Sequence, residues 1–278
     1  MTDLHLVFQG FALAIGLCVG SFLNVCIARM PEDRSVVSPP SHCPGCGAGI
    51  KAYDNIPVLS WVVLGGKCRN CKTGISPLYP TIELLTGLLS LLLYRHLVPE
   101  PAAFTVGAFA AWAGLLVFVA MLVGTTYVDL KHYIIPDQFS IYAVPVGLVT
   151  NVALGALGWG GALTWQQSIV GALIGGGSLG LVMLVYWLVR REEGMGLGDV
   201  KLLAMMGAFL GAVPAIPFIV LVSSVLGSVV GIGLIVVQGR GFRAQVPFGP
   251  FLAVAALIYV FFGEEIIRAW LPAFALMA

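Results

Sequence analysis

Charged residues are scarce in this sequence: they make up 10% of its 278 residues, while 59% are hydrophobic. Soluble domains carry about a quarter of charged residues, so this composition excludes an ordinary soluble class. Charge-poor segments long enough to cross roughly 30 Å of hydrocarbon recur along the chain, which favours spanning helices over the weakly alternating strands of a barrel. The sequence predicts an all-α integral membrane protein.

A basic leader is also missing before the first hydrophobic segment, Leu6 to Ala28, and no clear small-residue cleavage site follows it. Secretory signal peptides carry both features. We therefore expect this segment to be retained as the first transmembrane helix.

Apolar segments between charges predict eight transmembrane helices. The segment between Lys201 and Arg240 is too long for one span, and Pro214 and Pro217 indicate a turn between two shorter helices. The eight segments cover about residues 6–28, 82–98, 102–128, 138–157, 166–189, 200–213, 215–237 and 248–271.

The basic residues predict the orientation. With the N-terminus outside, twelve of the 14 lysines and arginines fall on one side of the membrane and two, Arg95 and Arg268, on the other. Cytoplasmic loops carry the excess of basic residues, so both termini are expected on the extracytoplasmic side. The twelve are Arg29, Arg34, Lys51, Lys67, Arg69, Lys72, Lys131, Arg190, Arg191, Lys201, Arg240 and Arg243.

A polar insertion separates the first two spans and holds four of the six cysteines. Three regions follow: residues 1–28 as the first helix, 29–80 as a cytoplasmic insertion, and 81–278 as a polytopic membrane domain. The insertion contains two CxxC pairs at Cys43, Cys46, Cys68 and Cys71. This spacing is typical of a closed tetrahedral zinc site. Disulfides and a redox pair are the alternatives, although a cytoplasmic loop is kept reduced.

Two aspartates, Asp129 and Asp199, lie at the same predicted cytoplasmic margin. Carboxyl groups brought together there would share a proton, and could activate water for attack on a peptide carbonyl. The alternative is that they are interfacial charges or helix caps, with Asp199 as the N-cap of the sixth span. Asp137 is a third candidate, for which capping or turn geometry beside Pro136 is the alternative.

The motifs that carry these residues resemble those of the bacterial type IV prepilin peptidases, also called leader peptidase/N-methyltransferases. The resemblance covers about residues 16–255. Besides the two CxxC pairs, the matching segments are GSFLNVCIARMP (20–31), NIPVLSW (55–61), ISPLYPTIELLTG (75–87), VDLKHYIIPD (128–137), GMGLGDVK (194–201) and PFGPFLA (247–253).

The resemblance implies an intramembrane aspartyl protease of the GxGD type, with Asp129 and Asp199 as its catalytic residues. Such enzymes cleave the leader from prepilins and pseudopilins at the cytoplasmic face of the bacterial inner membrane. They then methylate the new N-terminus with S-adenosylmethionine. Their substrates serve type IV pili, type II secretion or DNA uptake, and no nucleic acid is implied as a partner.

The methylation site is harder to locate, because no glycine-rich nucleotide fingerprint follows a strand. The insertion and Glu83 are the candidates: Glu83 could bind the substrate amine or be an interfacial carboxylate that extends to water. Lys201 could attract an acidic residue of the substrate or simply set the topology. Ala48 departs from the histidine of many relatives. Other relatives lack the cysteines, which implies that proteolysis itself does not need the metal.

Two other functions fit the residues without the resemblance. A proton- or cation-coupled transporter would also place carboxylates inside a bundle, but near its midplane. A non-enzymatic scaffold would use the zinc loop to recruit a partner, while Asp129 and Asp199 capped helices.

Overall fold

The structure is a computed structural model that describes residues 2–192, 196–238 and 246–270. The regular secondary structure of these residues is helical, apart from two isolated antiparallel bridges in the insertion. Gly194, Arg240, Arg243 and residue 271, which entered the sequence predictions, lie outside the described residues. The helices are α1 (Thr2–Arg29), α2 (Leu59–Val63), α3 (Leu78–Leu97), α4 (Val106–His132), α5 (Val144–Ala156), α6 (Trp165–Arg190), α7 (Leu197–Leu210), α8 (Ala215–Gln238) and α9 (Gly249–Trp270).

Each of the eight predicted spans coincides with one of these helices; α2 is a short additional helix in the insertion. Six helical segments of the described chain are long and apolar enough to cross a membrane: α1, α4, the segment 137–156 that ends in α5, α6, α8 and α9. Helices α3 and α7 are not among them. With 14 residues, α7 rises only about 21 Å. Eight crossings therefore stay a prediction.

The chain divides into two compact units, residues 1–124 and 125–278, and the division falls inside α4. In the first unit, α1 packs closely on α3. A Cβ atom on Gly16 would lie 2.8 Å from the backbone of Thr86 and Gly87, and one on Gly20 would lie 2.7 Å from the Cα atom of Glu83. Glycines four residues apart on one helix face allow this backbone approach.

In the second unit, glycines allow the same close backbone approach where α6 and α7 cross. A Cβ atom on Gly171 would collide with the carbonyl oxygen of Gly207, and one on Gly207 with that of Gly171. Farther along, Gly175 lies against the backbone of Leu203, and Gly180 faces the side chain of Val200. The contacts run in opposite directions along the two helices, so α6 and α7 are antiparallel.

A polar side chain on α5 fixes the C-terminal end of α7. The buried side-chain amide of Asn151 donates to the carbonyl oxygens of Ala208 and Phe209, each at 3.2 Å. The buried hydroxyl of Ser168 also donates to Ala208. These bonds satisfy carbonyls that have no partner within the last turn of a helix. They anchor the C-terminal end of α7, the helix that carries Asp199, to α5 and α6.

Candidate active site and metal centre

Asp129 lies one turn before the end of α4 and Asp199 is the third residue of α7. Both carboxylates are buried, with 5% and 9% of each residue exposed. They are also close enough to act on each other electrostatically. The structure therefore places the two predicted residues on separate helices of the second unit, within range of each other's charge.

Asp199 does not cap its own helix, and Asp129 lies near the C-terminal end of α4. The N-cap of α7 is Gly196, which makes no side-chain capping bond, so the alternative interpretation of Asp199 as an N-cap is wrong. Gly198 permits a close approach: a Cβ atom there would lie 2.9 Å from the Cβ atom of Ile135. Burying carboxylates that have no ion-pair partner is costly, and such costs are characteristic of functional sites.

A backbone amide orients the carboxylate of Asp129. The N–H group of Gly249, the first residue of α9, donates to its Oδ2 atom at 3.1 Å. A Cβ atom on Gly249 would lie 2.6 Å from the same oxygen. The glycine of the PFGP segment therefore touches Asp129, a contact that the sequence analysis did not predict.

Thr125 adds a polar group on the same face of α4, one turn before Asp129. Its hydroxyl is fully buried and has no hydrogen-bond partner among the described residues. Buried polar groups are nearly always paired with protein or with ordered water. This hydroxyl thus marks a polar position beside the aspartate pair that the sequence analysis missed.

Asp137 and Lys201 form an ion pair with 2.7 Å between Oδ1 and Nζ. Asp137 makes no capping bond, although it begins a short 3₁₀ turn, Asp137–Phe139, after Pro136. Sequence reasoning had considered these two charges separately. The residue types give no signal that they meet, because 64 residues separate them.

The four predicted cysteines converge in the insertion. Each CxxC pair sits in a tight turn closed by an antiparallel bridge, His42 with Gly49 and Lys67 with Gly74. The amide of Cys43 donates to the carbonyl oxygen of Ala48 at 2.9 Å, so position 48 contributes its backbone to the first turn. The absence of a histidine there leaves the ligand set intact.

The sulfur geometry suits a tetrahedral metal ion. All four Sγ atoms lie within 4.8 Å of one another, and those of Cys43 and Cys71 are 3.7 Å apart. Four zinc–sulfur bonds of about 2.3 Å in a tetrahedron would place the sulfurs about 3.8 Å apart. Hydrogen bonding to Thr73 lowers the pKa of the Cys71 thiol to about 6, which favours the thiolate that binds metal.

Between the insertion and the adjoining ends of α1 and α3 lies a cavity of about 910 Å³. Glu83 borders it and is buried, with 8% exposed, so it does not extend to water as one prediction held. Its Oε2 atom accepts a 2.7 Å bond from the N–H group of Val58. Val58 has φ +61°, an unusual conformation for a β-branched residue. Asn24, another cavity residue, donates to the carbonyl oxygen of Tyr79.

An ion pair braces the insertion around this cavity. The Arg69 guanidinium binds Asp54 with Nε 2.9 Å from both carboxylate oxygens and one terminal nitrogen 2.7 Å from Oδ1. These hydrogen bonds hold the pKa of Asp54 below its usual value. The second cysteine turn is thereby tied to the 3₁₀ turn Ala52–Asp54.

Both units contain segments that match known protein families. Residues 14–97 match the family described as bacterial peptidase A24 N-terminal domain, and residues 116–232 match the type IV leader peptidase family. This chain is 37% identical to the prepilin leader peptidase/N-methyltransferase of Aeromonas hydrophila. It is 36% identical to that of Neisseria gonorrhoeae and 33% identical to that of Pseudomonas aeruginosa. These alignments cover 96–97% of this chain and 94–96% of each relative. No solved structure gave a significant match. The chain belongs to the type IV leader peptidase family.

Proposed function

We propose that this protein cleaves the leader peptide from type IV prepilins and pseudopilins and methylates the new N-terminus. The observation that carries the proteolytic part is the pair of buried carboxylates, Asp129 and Asp199, brought within electrostatic range from two helices. The names of the relatives agree with it. A transporter is not favoured, because the chain belongs to a peptidase family.

In the proposed mechanism the two carboxyl groups share one proton, because two like charges so close cannot both ionise cheaply. The ionised group accepts a proton from a water molecule, which attacks the scissile carbonyl, and the protonated group donates to the leaving nitrogen. Gly249 keeps the Asp129 carboxylate in one orientation through its amide. The Thr125 hydroxyl, unpaired among the described residues, can hold the water.

The proposed setting is the bacterial inner membrane, with eight crossings and the aspartates facing the cytoplasm. The distribution of basic residues supports this orientation. A prepilin is itself anchored in the bilayer, so its scissile bond would be presented at the depth of the aspartates. Such positioning supplies a high effective concentration of substrate.

Leader release from a purified prepilin in detergent tests the proteolytic assignment. Asp129→Asn and Asp199→Asn should each abolish cleavage while the protein remains folded, because each variant removes one proton-transferring group. Glu264→Gln is a matched control: it removes one carboxylate on α9 that is exposed and paired with Arg268. Full cleavage by both aspartate variants would refute the assignment.

We further propose that the four cysteines hold a structural zinc ion. The short distances between their sulfur atoms support this assignment. Four thiolates fill a tetrahedral shell and leave no open position for catalysis. The metal would then hold together an insertion whose helices are all short, which is a common use of zinc in small domains.

For methylation we propose the cavity beside Glu83 as the site of S-adenosylmethionine and the acceptor amine. Its volume lies in the range of small-molecule sites, about 300–1,000 Å³. Bound there, S-adenosylmethionine would supply an electrophilic methyl group on a cationic sulfur. The buried carboxylate of Glu83 suits a cationic ligand, and the strained backbone of Val58 fixes the position of that carboxylate.

Binding of S-adenosylhomocysteine by isothermal titration calorimetry tests this site separately from proteolysis. Glu83→Gln should weaken binding and methylation but leave leader cleavage unchanged. Glu100→Gln removes a carboxylate from the same unit at an exposed position outside the cavity and serves as its control. Unchanged binding in Glu83→Gln would count against the cavity.

A further inference from the structure

The segment that follows α4 contacts both helices that complete the aspartate pair. Helix α4 ends at His132, and Tyr133 then adopts φ +57°, which turns the chain out of the helix. Ile135 follows, and its side chain lies against the Cα atoms of Gly198 on α7 and Gly249 on α9. One side chain therefore touches the neighbour of Asp199 and the amide donor of Asp129.

The same segment is joined to α7 by charge. The Oδ1 atom of Asp137, in this segment, lies 2.7 Å from the Nζ atom of Lys201 on α7, and the two side chains are 43% and 35% exposed. Lys201 stands two residues after Asp199 on α7, so the two side chains do not share a helix face. The ion pair thus acts on the position of the α7 N-terminus without touching the carboxylate of Asp199.

The segment itself is anchored by a buried side chain and closed by a local turn. Phe139 is buried, and the buried hydroxyl of Ser140 donates to the carbonyl oxygen of Pro136 at 2.9 Å. Asn151 and Ser168 fix the opposite end of α7. The N-terminal turn of α7, which carries Asp199, is therefore fixed by contacts at both ends of the helix.

We propose that Ile135 and the Asp137–Lys201 ion pair are positioning residues, which together hold Asp199 at its working distance from Asp129. This inference rests on the proposed proteolytic function. Both residues of the pair would act through Asp199 and neither would touch the substrate. A displacement of about 1 Å between reacting groups can slow an enzymatic step about 100-fold.

The test separates kcat from KM for leader cleavage. Lys201→Met and Asp137→Asn should each lower kcat about tenfold and leave KM within about twofold, because substrate binding is not altered. The double variant should lose no more than either single variant, since the two residues act as one pair. Lys201→Arg keeps a cation within reach of Asp137 and should retain most of the activity.

Melting temperature in detergent is the readout of folding for the second unit, which carries the changed residues. Methylation of a pilin peptide that already lacks its leader is a separate control for the first unit, where the proposed methylation site lies. Both should be unchanged in every variant. Ile135→Val is the mildest probe: it deletes only the Cδ1 atom, which would lie 3.2 Å from a Cβ atom on Gly249. We expect it to fold normally and to lower kcat by about threefold, a fraction of the loss that a full 1 Å displacement of a reacting group produces.

Three results would overturn the proposal. The first is a wild-type kcat in Lys201→Met and Ile135→Val. The second is a raised KM at constant kcat, which would make Lys201 a substrate-binding residue. The third is an additive loss in the double variant. If the wild type fails to cleave, or Asp199→Asn cleaves normally, the proposed function has failed instead.

Discussion

Replacing Gly249 by alanine should disable proteolysis while sparing the fold. The new Cβ atom would lie 2.6 Å from Oδ2 of Asp129, a separation that real Cβ atoms essentially never show. Ordinary contacts begin at 3.4 Å, so the carboxylate has to move by 0.4 Å to reach 3.0 Å and by 0.8 Å to reach 3.4 Å. The backbone of Gly249 is not left-handed, so alanine adds no conformational strain.

This displacement should lower the rate of catalysis. The Asp129 side chain can swing away, so the protein should remain folded, but its bond from the Gly249 amide lengthens or breaks. A shift approaching 1 Å costs about 100-fold in rate. At about 1.36 kcal/mol for each factor of ten, this is about 2.7 kcal/mol of transition-state stabilisation.

The assay is kcat/KM for leader release in detergent, with melting temperature measured in parallel. Gly177→Ala is the control, because no heavy atom outside its own chain neighbourhood lies within 4 Å of a Cβ atom at this position of α6. It should cleave at the wild-type rate. Wild-type kcat/KM in Gly249→Ala would refute the argument that this amide and the lack of a side chain set the orientation of Asp129.

Three further predictions concern stability and metal. Gly207→Ala should destabilise the second unit by about 3 kcal/mol, the upper range for overpacking, because its Cβ atom would collide with α6; Gly177→Ala should not lower the melting temperature. Chelation with EDTA, or Cys46→Ser, should release zinc, measured by elemental analysis, and abolish methylation while leader cleavage persists. Arg69 lowers the pKa of Asp54, so their ion pair stabilises the folded protein. This stabilisation is complete at neutral pH, where the Asp54 carboxyl is ionised in the unfolded chain as well. The difference in melting temperature between wild type and Asp54→Asn should therefore be constant near neutral pH and vanish as pH falls through the lowered pKa. A difference that grew in acid would contradict this.

The positions of the helices could be predicted from the sequence, because uninterrupted apolar segments have few ways to satisfy their backbone in a membrane. Helix α7 also ends close to Pro214, where the sequence predicted a turn. The cysteine cluster was equally predictable, since two CxxC pairs restrict the geometry of four sulfur atoms to a few arrangements.

The contacts between helices could not be predicted in the same way. Gly171 and Gly175 on α6, like Gly16 and Gly20 on α1, follow the GxxxG pattern, which was a usable signal that the sequence analysis passed over. The pairing of Asp137 with Lys201 had no such signal. It depends on how α4, α7 and α9 meet, and that is decided by packing across long stretches of chain.

The short α7 has a consequence for how water reaches the aspartates. Val200, in the first turn of α7, is level with Gly180 of α6, and α6 continues ten residues farther to Arg190, about 15 Å, with large exposed apolar side chains such as Leu181, Leu184 and Leu188. In the proposed orientation, lipid tails covering this extension would reach past the level of Asp199, and the hydrolytic water would have to arrive through a passage within the protein. A thinner bilayer would shorten that passage, so turnover would then depend on membrane thickness as well as on contacts with substrate.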